Sequence, residues 1–289
     1  METFELRYFL GVARTQNIHQ ASEELHVSPG SLSKAIARLE EELNVKLFSR
    51  EGRNIRLNEQ GRLLQRRASE IIQLEEATRL ELSGATGSIQ VQIAGAEILL
   101  SNWGVNFSQT IKKKYPLAQF TFLATNDEAA LEKVIRGEAH IAIVTSDIPV
   151  NSELSSKTLG ETMFKTYLGK GHPLYAQAKN KKSVQMEELL KHAFVSPSHP
   201  LLGKVGQKQS LDGWRDDYFP RKVEYLTSSL KILEELVVSG KAIAYLPEYF
   251  GKGLNLEMIK VVGCPYTCNQ KIKIVARNPK DLGWLNQIF

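Results

Sequence analysis

The sequence predicts an α/β protein in two parts: an N-terminal all-α winged helix-turn-helix continued by a long linker helix, then a two-lobed α/β domain. Residues 4–82 place apolar side chains at helical spacing with almost no strand signal, whereas from Ile89 onward β-rich runs such as IQVQIAG, QFTFLAT and AHIAIVT alternate with helical stretches. Between them Ser83-Gly84-Ala85-Thr86-Gly87-Ser88 reads as a short flexible hinge of small residues. A length of 289 residues accommodates two domains. The expected boundaries are a winged helix-turn-helix over 1–58, a linker helix over 59–83, a hinge over 84–88 and an α/β domain over 89–289. Within that domain, lobe I takes about 89–164 and 268–289, and lobe II about 165–267.

In the front segment Leu6, Phe9, Leu10 and Ala13 follow i, i+3, i+4, i+7 and predict the first helix. Asn17 caps a second, with Gln20 placed to complete a capping box and Ile18, Ala21 and Leu25 turned inward, ending near His26. Ser28 caps a third, with Pro29 in its first turn and Leu32, Ile36, Leu39 and Leu43 as its buried stripe. The second helix of a helix-turn-helix enters the major groove and reads bases with its N-terminal half. That half offers Ser28, Pro29, Gly30, Ser31, Ser33 and Lys34, with Arg38 one turn on. Small residues permit close approach, hydroxyls bond base edges or phosphates, and Lys34 reaches guanine or phosphate. Glu40, Glu41 and Glu42 lie at the far end. This asymmetry matters because residues 1–83 hold 12 basic and 13 acidic side chains, so only a local face can attract DNA.

Val45 to Leu57 reads as a two-stranded wing turning at Glu51-Gly52, its arginines, Arg50 and Arg53 foremost, suited to phosphate or minor-groove contact. Asn58 then caps a helix reaching about Ser83, roughly 25 residues or about 38 Å at about 1.5 Å per residue. Its stripe of Leu64, Ala68, Ile71, Thr78 and Leu82 needs cover, and pairing with a second copy is the simplest cover.

After the hinge, strand-helix-strand repetition predicts an open α/β sheet, and the runs FKTYLGK, AFVSP, KVEYL and AIAYLP form a second set. The last long strand, KIKIVAR, returns to the first lobe. Ligands of open α/β sheets bind at the carboxyl ends of strands, beside free helix N–H groups. Those ends are Ala96-Glu97, Thr125-Asn126, Thr145-Ser146, Ser196-Pro197-Ser198 and Thr227-Ser228-Ser229, whose hydroxyls suit a small polar ligand. Glu97 in that cleft would repel a carboxylate and favour a cationic or neutral ligand. The plainer readings are helix capping for Thr227 to Ser229 and dipole complementation for Glu97.

Composition excludes disorder, with 42% hydrophobic and 24% charged residues. Cys264 and Cys268 are the only cysteines, so no disulfide framework is expected and a reducing, cytoplasmic compartment is. The acidic N-terminus lacks a secretory signal pattern, and no apolar run reaches the roughly 18 residues of a membrane span. His19, His26, His140, His172, His192 and His199 make no metal-ligand spacing. With no phosphate-cradling loop, nucleophile elbow or zinc-protease motif, no catalytic residue and no cofactor is expected.

The order of parts resembles the LysR-type transcriptional regulators. The likeness rests on Phe9-Leu10, Ala21, Leu25, Val27-Ser28, Leu32-Ser33-Lys34, Ile36, Arg38-Leu39-Glu40, Glu42-Leu43, Val45, Leu47-Phe48, Arg50, Arg53 and Leu57-Asn58-Glu59-Gln60-Gly61. Further points are His172-Pro173-Leu174, Gly240 and Leu246-Pro247, and the C-terminal part is similar to type II periplasmic solute-binding proteins. The resemblance implies a bacterial regulator, not an enzyme, that binds a double-stranded DNA operator. It also implies a small-molecule effector between the lobes, dimers through the linker helices, assembly into tetramers, and contact with RNA polymerase. One departure is Pro29-Gly30, where the family commonly has Gln after the serine, which shifts base reading toward Ser33, Lys34 and the wing. Some members of the family sense oxidants, but the spacing of Cys264 and Cys268 does not show that their sulfurs meet. The competing readings are a cytosolic solute-binding module whose front domain no longer reads DNA and, behind it, an α/β enzyme.

Overall fold

The computed structural model describes residues 1–51, 54–83, 88–148, 153–201, 212–281, 283–286 and 289. Helices α1 (Thr3–Thr15), α2 (Ile18–Leu25) and α3 (Pro29–Leu43) close around Leu6, Phe9, Val12, Ala21, Leu32 and Leu39. Asn17 accepts from the His19 and Gln20 amides and so starts α2. The reciprocal half of the expected capping box is not made: Gln20 donates to Glu24 at 3.3 Å, and the Asn17 amide donates instead to Thr15 Oγ1. His26 ends α2 in the left-handed region at φ 54°, and Ser28 caps α3 two residues later, which makes the connection tight. Leu43, expected inside, is 36% exposed, because the last turn of α3 runs past the core.

Strands β1 (Phe48–Glu51) and β2 (Asn54–Leu57) pair antiparallel, with Glu51 opposite Asn54. The turn between them, including Arg53, lies outside the described residues, as does most of the hinge, 84–87. Helix α4 (Glu59–Ser83) starts where Asn58 Oδ1 accepts the Gly61 amide at 2.8 Å and the Asn58 amide group donates to the Lys46 carbonyl at 2.7 Å. A Cβ on Gly61 would stand 2.1 Å from the Leu47 carbonyl oxygen, so only glycine lets α4 seat there.

In the first lobe β3 (Gln90–Gly95) pairs in parallel with both β4 (Gln119–Ala124) and β5 (Ile141–Val144). One face of this sheet carries Ile93, Ile143 and Ile274 and packs on α6 (Val105–Lys114) and α12 (Gly283–Asn286); the other carries Ala94, Ala142 and Val275 and packs on α7 (Asp127–Arg136). Burial on both faces explains why these strands read as apolar runs instead of alternating ones. Helix α5 (Glu97–Leu99) passes through a π turn at Leu100–Gly104 into α6.

The expected strand at FKTYLGK is the end of a much longer one, β6 (Leu154–Leu168), which pairs antiparallel with β12 (Asn269–Arg277) up to Met163. Beyond it β6 pairs with β10 (Ala244–Pro247) and β11 (Glu257–Val262), and β11 continues onto β7 (Ser183–Gln185). β8 (Ala193–Pro197) and β9 (Lys222–Thr227) form a parallel pair, bridged to Ile243 through Phe194. The second lobe packs Leu168, Phe194, Trp214 and Ile259, with α8 (Tyr175–Lys179), α9 (Met186–Leu189), α10 (Leu230–Val238) and α11 (Glu248–Gly253) around the strands. β12 also lies beside β5, so β6 and β12 are the two chains of connection between lobes.

Candidate nucleic-acid interface and inter-lobe cleft

The buried stripe of α3, with Leu32, Ala35, Ile36 and Leu39, fixes which residues it shows to solvent. Ser28, Gly30, Ser31, Ser33 and Lys34 are exposed, and Pro29 is half-buried. Ser28 and Ser31 are partly committed to each other: Ser28 Oγ accepts the Ser31 amide at 3.1 Å, and the two hydroxyls stand 2.8 Å apart. Ser33 makes no side-chain hydrogen bond and Lys34 no ion pair among the described residues. Arg38 is exposed, yet its Nε lies 3.2 Å from the buried Glu5 carboxylate, so part of its charge is already compensated. The acids at the far end of α3 are turned away from this face: Glu40 accepts from Lys46 Nζ at 2.7 Å and from the Leu47 amide at 2.8 Å.

On the wing, Arg50 is exposed and unpaired among the described residues. It pairs across the hairpin with Ile55, whereas Ser49 and Arg56 pair with each other on the opposite face. Arg56, another of the wing's arginines, is placed outward by the alternation of the strand, with Phe48, Ile55 and Leu57 packed inward.

The expected linker stripe divides. Leu64 and Ala68, with Ile72, pack into the core of their own helix-turn-helix, because α4 leans on α1. Ile71 at 41%, Leu82 at 85% and Thr78 remain exposed, joined by Leu63 at 45% and Leu74 at 52%. On the other side α4 meets the first lobe: Ala77 joins the cluster of Ile89 and Trp284, and Arg277 Nη1 donates to the Ile135 carbonyl at 2.8 Å while lying 3.7 Å from Glu70. Burial lowers the Arg277 pKa, with Glu70 acting against it.

A cavity of about 320 Å³ opens where β3, β4, β8 and β9 end. Ala96, Glu97, Thr125, Asn126, Thr227 and Ser228 line it together. Four of the expected residues stand elsewhere. Thr145 and Ser146 each donate amide and hydroxyl to Asp127 Oδ2, all four bonds between 2.8 and 3.0 Å, and so close the first turn of α7. Ser196 is buried, and Ser198 Oγ is 3.0 Å from His199 Nδ1. Ser229, expected at the end of β9, lines the cavity too, whereas His199, Leu201 and Leu230 line it and were missed; they sit beyond the strand ends, where no periodicity marks them.

Several of the lining polar groups are already bonded. Asn126 Oδ1 accepts the Ala129 amide, Thr227 Oγ1 the Ser229 amide, and Ser229 Oγ the Ile232 amide. The hydroxyls of Thr125 and Ser228 and the carboxylate of Glu97 carry no side-chain partner among the described residues. Behind the cavity Tyr249 donates to the Ile98 carbonyl at 3.0 Å and meets Trp103 edge-on at 6.0 Å, joining the lobes; burial pushes its phenol pKa up.

Among the described residues no group of His, Cys, Asp and Glu gathers to hold a metal, and no helix is long and apolar enough to cross a membrane. Residues 4–62 match the model of the bacterial regulatory helix-turn-helix proteins of the lysR family, and residues 86–277 match the LysR substrate binding domain. The transcriptional dual regulator GltC of Bacillus subtilis is 28% identical over 253 residues, covering 86% of this chain and 81% of GltC. The chain spans about two thirds of the length of other curated relatives, 66% and 62% for two of them. Two full-length solved structures share the fold. One is LysG from Corynebacterium glutamicum with bound effector Arg (TM-score 0.62, 19% identity, covering 99% of this chain and 96% of LysG). The other is CbnR complexed with its target DNA (TM-score 0.56, 17% identity, covering 99% of this chain and 98% of CbnR).

Proposed function

Since the chain belongs to the LysR family of DNA-binding transcriptional regulators, non-enzymatic proteins with an effector-binding domain, we propose that it binds operator DNA as a dimer under control of a small polar effector. The observation that carries this reading is the N-terminal half of α3. It combines an exposed Lys34 and a Ser33 hydroxyl, both unpaired among the described residues, with the small residues Gly30 and Ser31, while Glu40 is held at the opposite end by Lys46. The proposed contacts are Ser33, Lys34 and Arg38 to bases and nearby phosphates, Ser28, Pro29 and Ser31 at the backbone, and Arg50 and Arg53 from the wing.

Leu63, Ile71, Leu74, Thr78 and Leu82 supply the apolar face through which two α4 helices pair, and two such dimers form the tetramer. This corrects the expected dimer set by removing Leu64 and Ala68. The proposed domain division follows the chain: reader over 1–58, linker over 59–83, hinge over 84–88 and effector domain over 89–289, acting in the cytoplasm and working with RNA polymerase.

The effector site is the cavity between Glu97, Thr125, Asn126, Thr227 and Ser228. Glu97 selects a ligand with a cationic or neutral donor on its side, while the hydroxyls of Thr125 and Ser228 offer bonds to its polar remainder. Arginine, the effector bound in LysG, has that chemistry. Selection of duplexes from a random pool by the purified chain tests the reading. An inverted repeat with half-sites about one helical turn or a multiple apart is expected, and a pool with no enriched sequence would contradict it.

A further inference from the structure

A cavity of about 850 Å³ stands apart from the inter-lobe cleft and shares no lining residue with it. It sits in the second lobe where the sheet forks. β11 parts from β6 after Ile259 and pairs with β7 from Lys260 onward, while β6 ahead of Phe164 pairs with β12. One wall is an aromatic run: Phe164 lies 5.4 Å from Tyr245, and Tyr245 meets Trp214 edge-on at 5.2 Å. Ile259, Val261 and Met186 extend the apolar lining. At the rim Met163, Met258 and Tyr266 keep 40%, 45% and 37% of their surface exposed.

Charge at this cavity is one-sided. Lys165, Lys179, Lys181 and Lys260 line it, and none makes an ion pair among the described residues, although Lys165 is near enough to Glu248 to help lower that carboxyl's pKa. Arg215 is already engaged, bonded to Asp217 at 2.7 Å and stacked on the rings of Tyr218 and Tyr266, each 4.5 Å away. Among the described residues Glu257 is the single carboxylate in the lining. In the antiparallel register the position next to the last pair, Thr166 with Ile259, is held by Lys165 before Thr166 and Lys260 after Ile259, so two like charges stand where the strands part. Like charges on neighbouring strands are unfavourable unless an anion lies between them.

Ligand sites are concave, mostly apolar and several hundred Å³ in volume, with a few convergent polar groups. Protein interiors otherwise leave few voids larger than a water molecule. We propose that this cavity is a second ligand site, distinct from the effector cleft, for an amphipathic organic monoanion. The apolar body packs on Phe164, Tyr245, Trp214 and Ile259, and the carboxylate or sulfonate extends through the gap between β6 and β11 to Lys165 and Lys260, which alternate to the other face of the sheet. Phe164 lies on β6 and Cys268 immediately precedes β12, the two connecting strands, and the Phe164 amide donates to the Cys268 carbonyl at 2.9 Å. An occupant therefore touches the hinge between lobes and biases their angle.

The test is a titration of the full-length chain with 8-anilinonaphthalene-1-sulfonate, followed by displacement with dodecanoate and with dodecyltrimethylammonium, an apolar chain of equal length and opposite charge. Saturable binding displaced by dodecanoate alone is expected. In the variant K165E/K260E affinity should fall at least tenfold with an unchanged melting curve, while E97Q and T125V in the other cavity should leave it unaltered. Alkylation of the half-buried Cys264, which lines the cavity, should slow when dodecanoate is bound. Equal displacement by the cation, affinity in K165E/K260E within twofold of native, or loss of binding in E97Q or T125V would overturn the proposal.

Discussion

Ser69 on α4 donates its hydroxyl to the carbonyl of Arg136, which ends α7, at 3.0 Å. The next residue, Gly137, turns in the left-handed region at φ 73°, and a Cβ there would stand 2.1 Å from Ser69 Cβ. The linker helix and the first lobe are thus fitted at a point with no spare volume. Gly137→Ala should lower stability by roughly 1–3 kcal/mol from strained backbone and overlap, whereas Ser69→Ala should cost only about 1 kcal/mol for the lost hydrogen bond. Thermal melts of the two variants check the order; equal melting temperatures would refute the tight contact.

Asp127 concentrates four hydrogen bonds on one buried oxygen, from Thr145 and Ser146. Removing the carboxylate leaves two backbone amides and two hydroxyls without their acceptor. Asp127→Ala should therefore destabilise by about 3 kcal/mol or more, at about 1–3 kcal/mol for each group left unsatisfied. Thr145→Val, which removes one bond of the four, should fall near 1 kcal/mol. Urea unfolding of both variants measures this.

Ile71→Glu/Leu74→Glu places charge on the exposed face of α4 without touching Leu64, Ala68 or Ile72 on its packed face. Light scattering should show the variant as a monomer that melts near the temperature of the native chain's subunits. A dimer of unchanged strength would exclude this face as the pairing surface.

Two histidines give stability a pH dependence. Burial lowers His140 from its usual 6.5 to about 4, and its Nδ1 accepts the Gln92 amide at 3.1 Å, which suits the neutral ring. Burial, and then the neighbouring His192, lowers His172 to about 4 as well. Above pH 6.5 both are neutral folded and unfolded, so they add no pH dependence there. As pH falls from 6.5 toward 4 the unfolded chain takes up protons that the folded one refuses, and stability is lost. At about 1.4 kcal/mol per pKa unit the loss by pH 4 is roughly 3 kcal/mol for His140 and less for His172, where solvent screens more of the charge. Denaturation across that range, compared with His172→Asn, checks it, and a flat profile would contradict it.

Much of this architecture was legible because helical spacing and cap chemistry are local: Asn17, Ser28 and Asn58 each start the helix they were expected to start. Which face of a helix meets what was less legible. The α4 residues at helical spacing serve two different surfaces, and periodicity does not say which apolar residue goes to which. The strand-end rule found the cleft but placed Thr145 and Ser146 in it, since nothing in the sequence shows that Asp127, eighteen positions upstream of Thr145, bonds both. The fork between β6 and β11 was invisible for a related reason. Short strands at the edge of the second lobe, β7 and β11, alternate too briefly to be recognised, and the cavity they leave depends on pairing between residues nearly a hundred positions apart.

The measurement that bears most directly on the central claim is fluorescence anisotropy of the full-length chain on the DNA upstream of its own gene, with scrambled competitor, over a range of salt concentrations. Saturable, sequence-selective binding is expected. The double variant Lys34→Ala/Arg53→Ala should lose that binding, with a shallower salt dependence, about 0.9 less in slope for each phosphate contact removed. Binding with the same affinity for scrambled DNA, or a double variant indistinguishable from the native chain, would contradict a sequence-reading role for α3 and the wing.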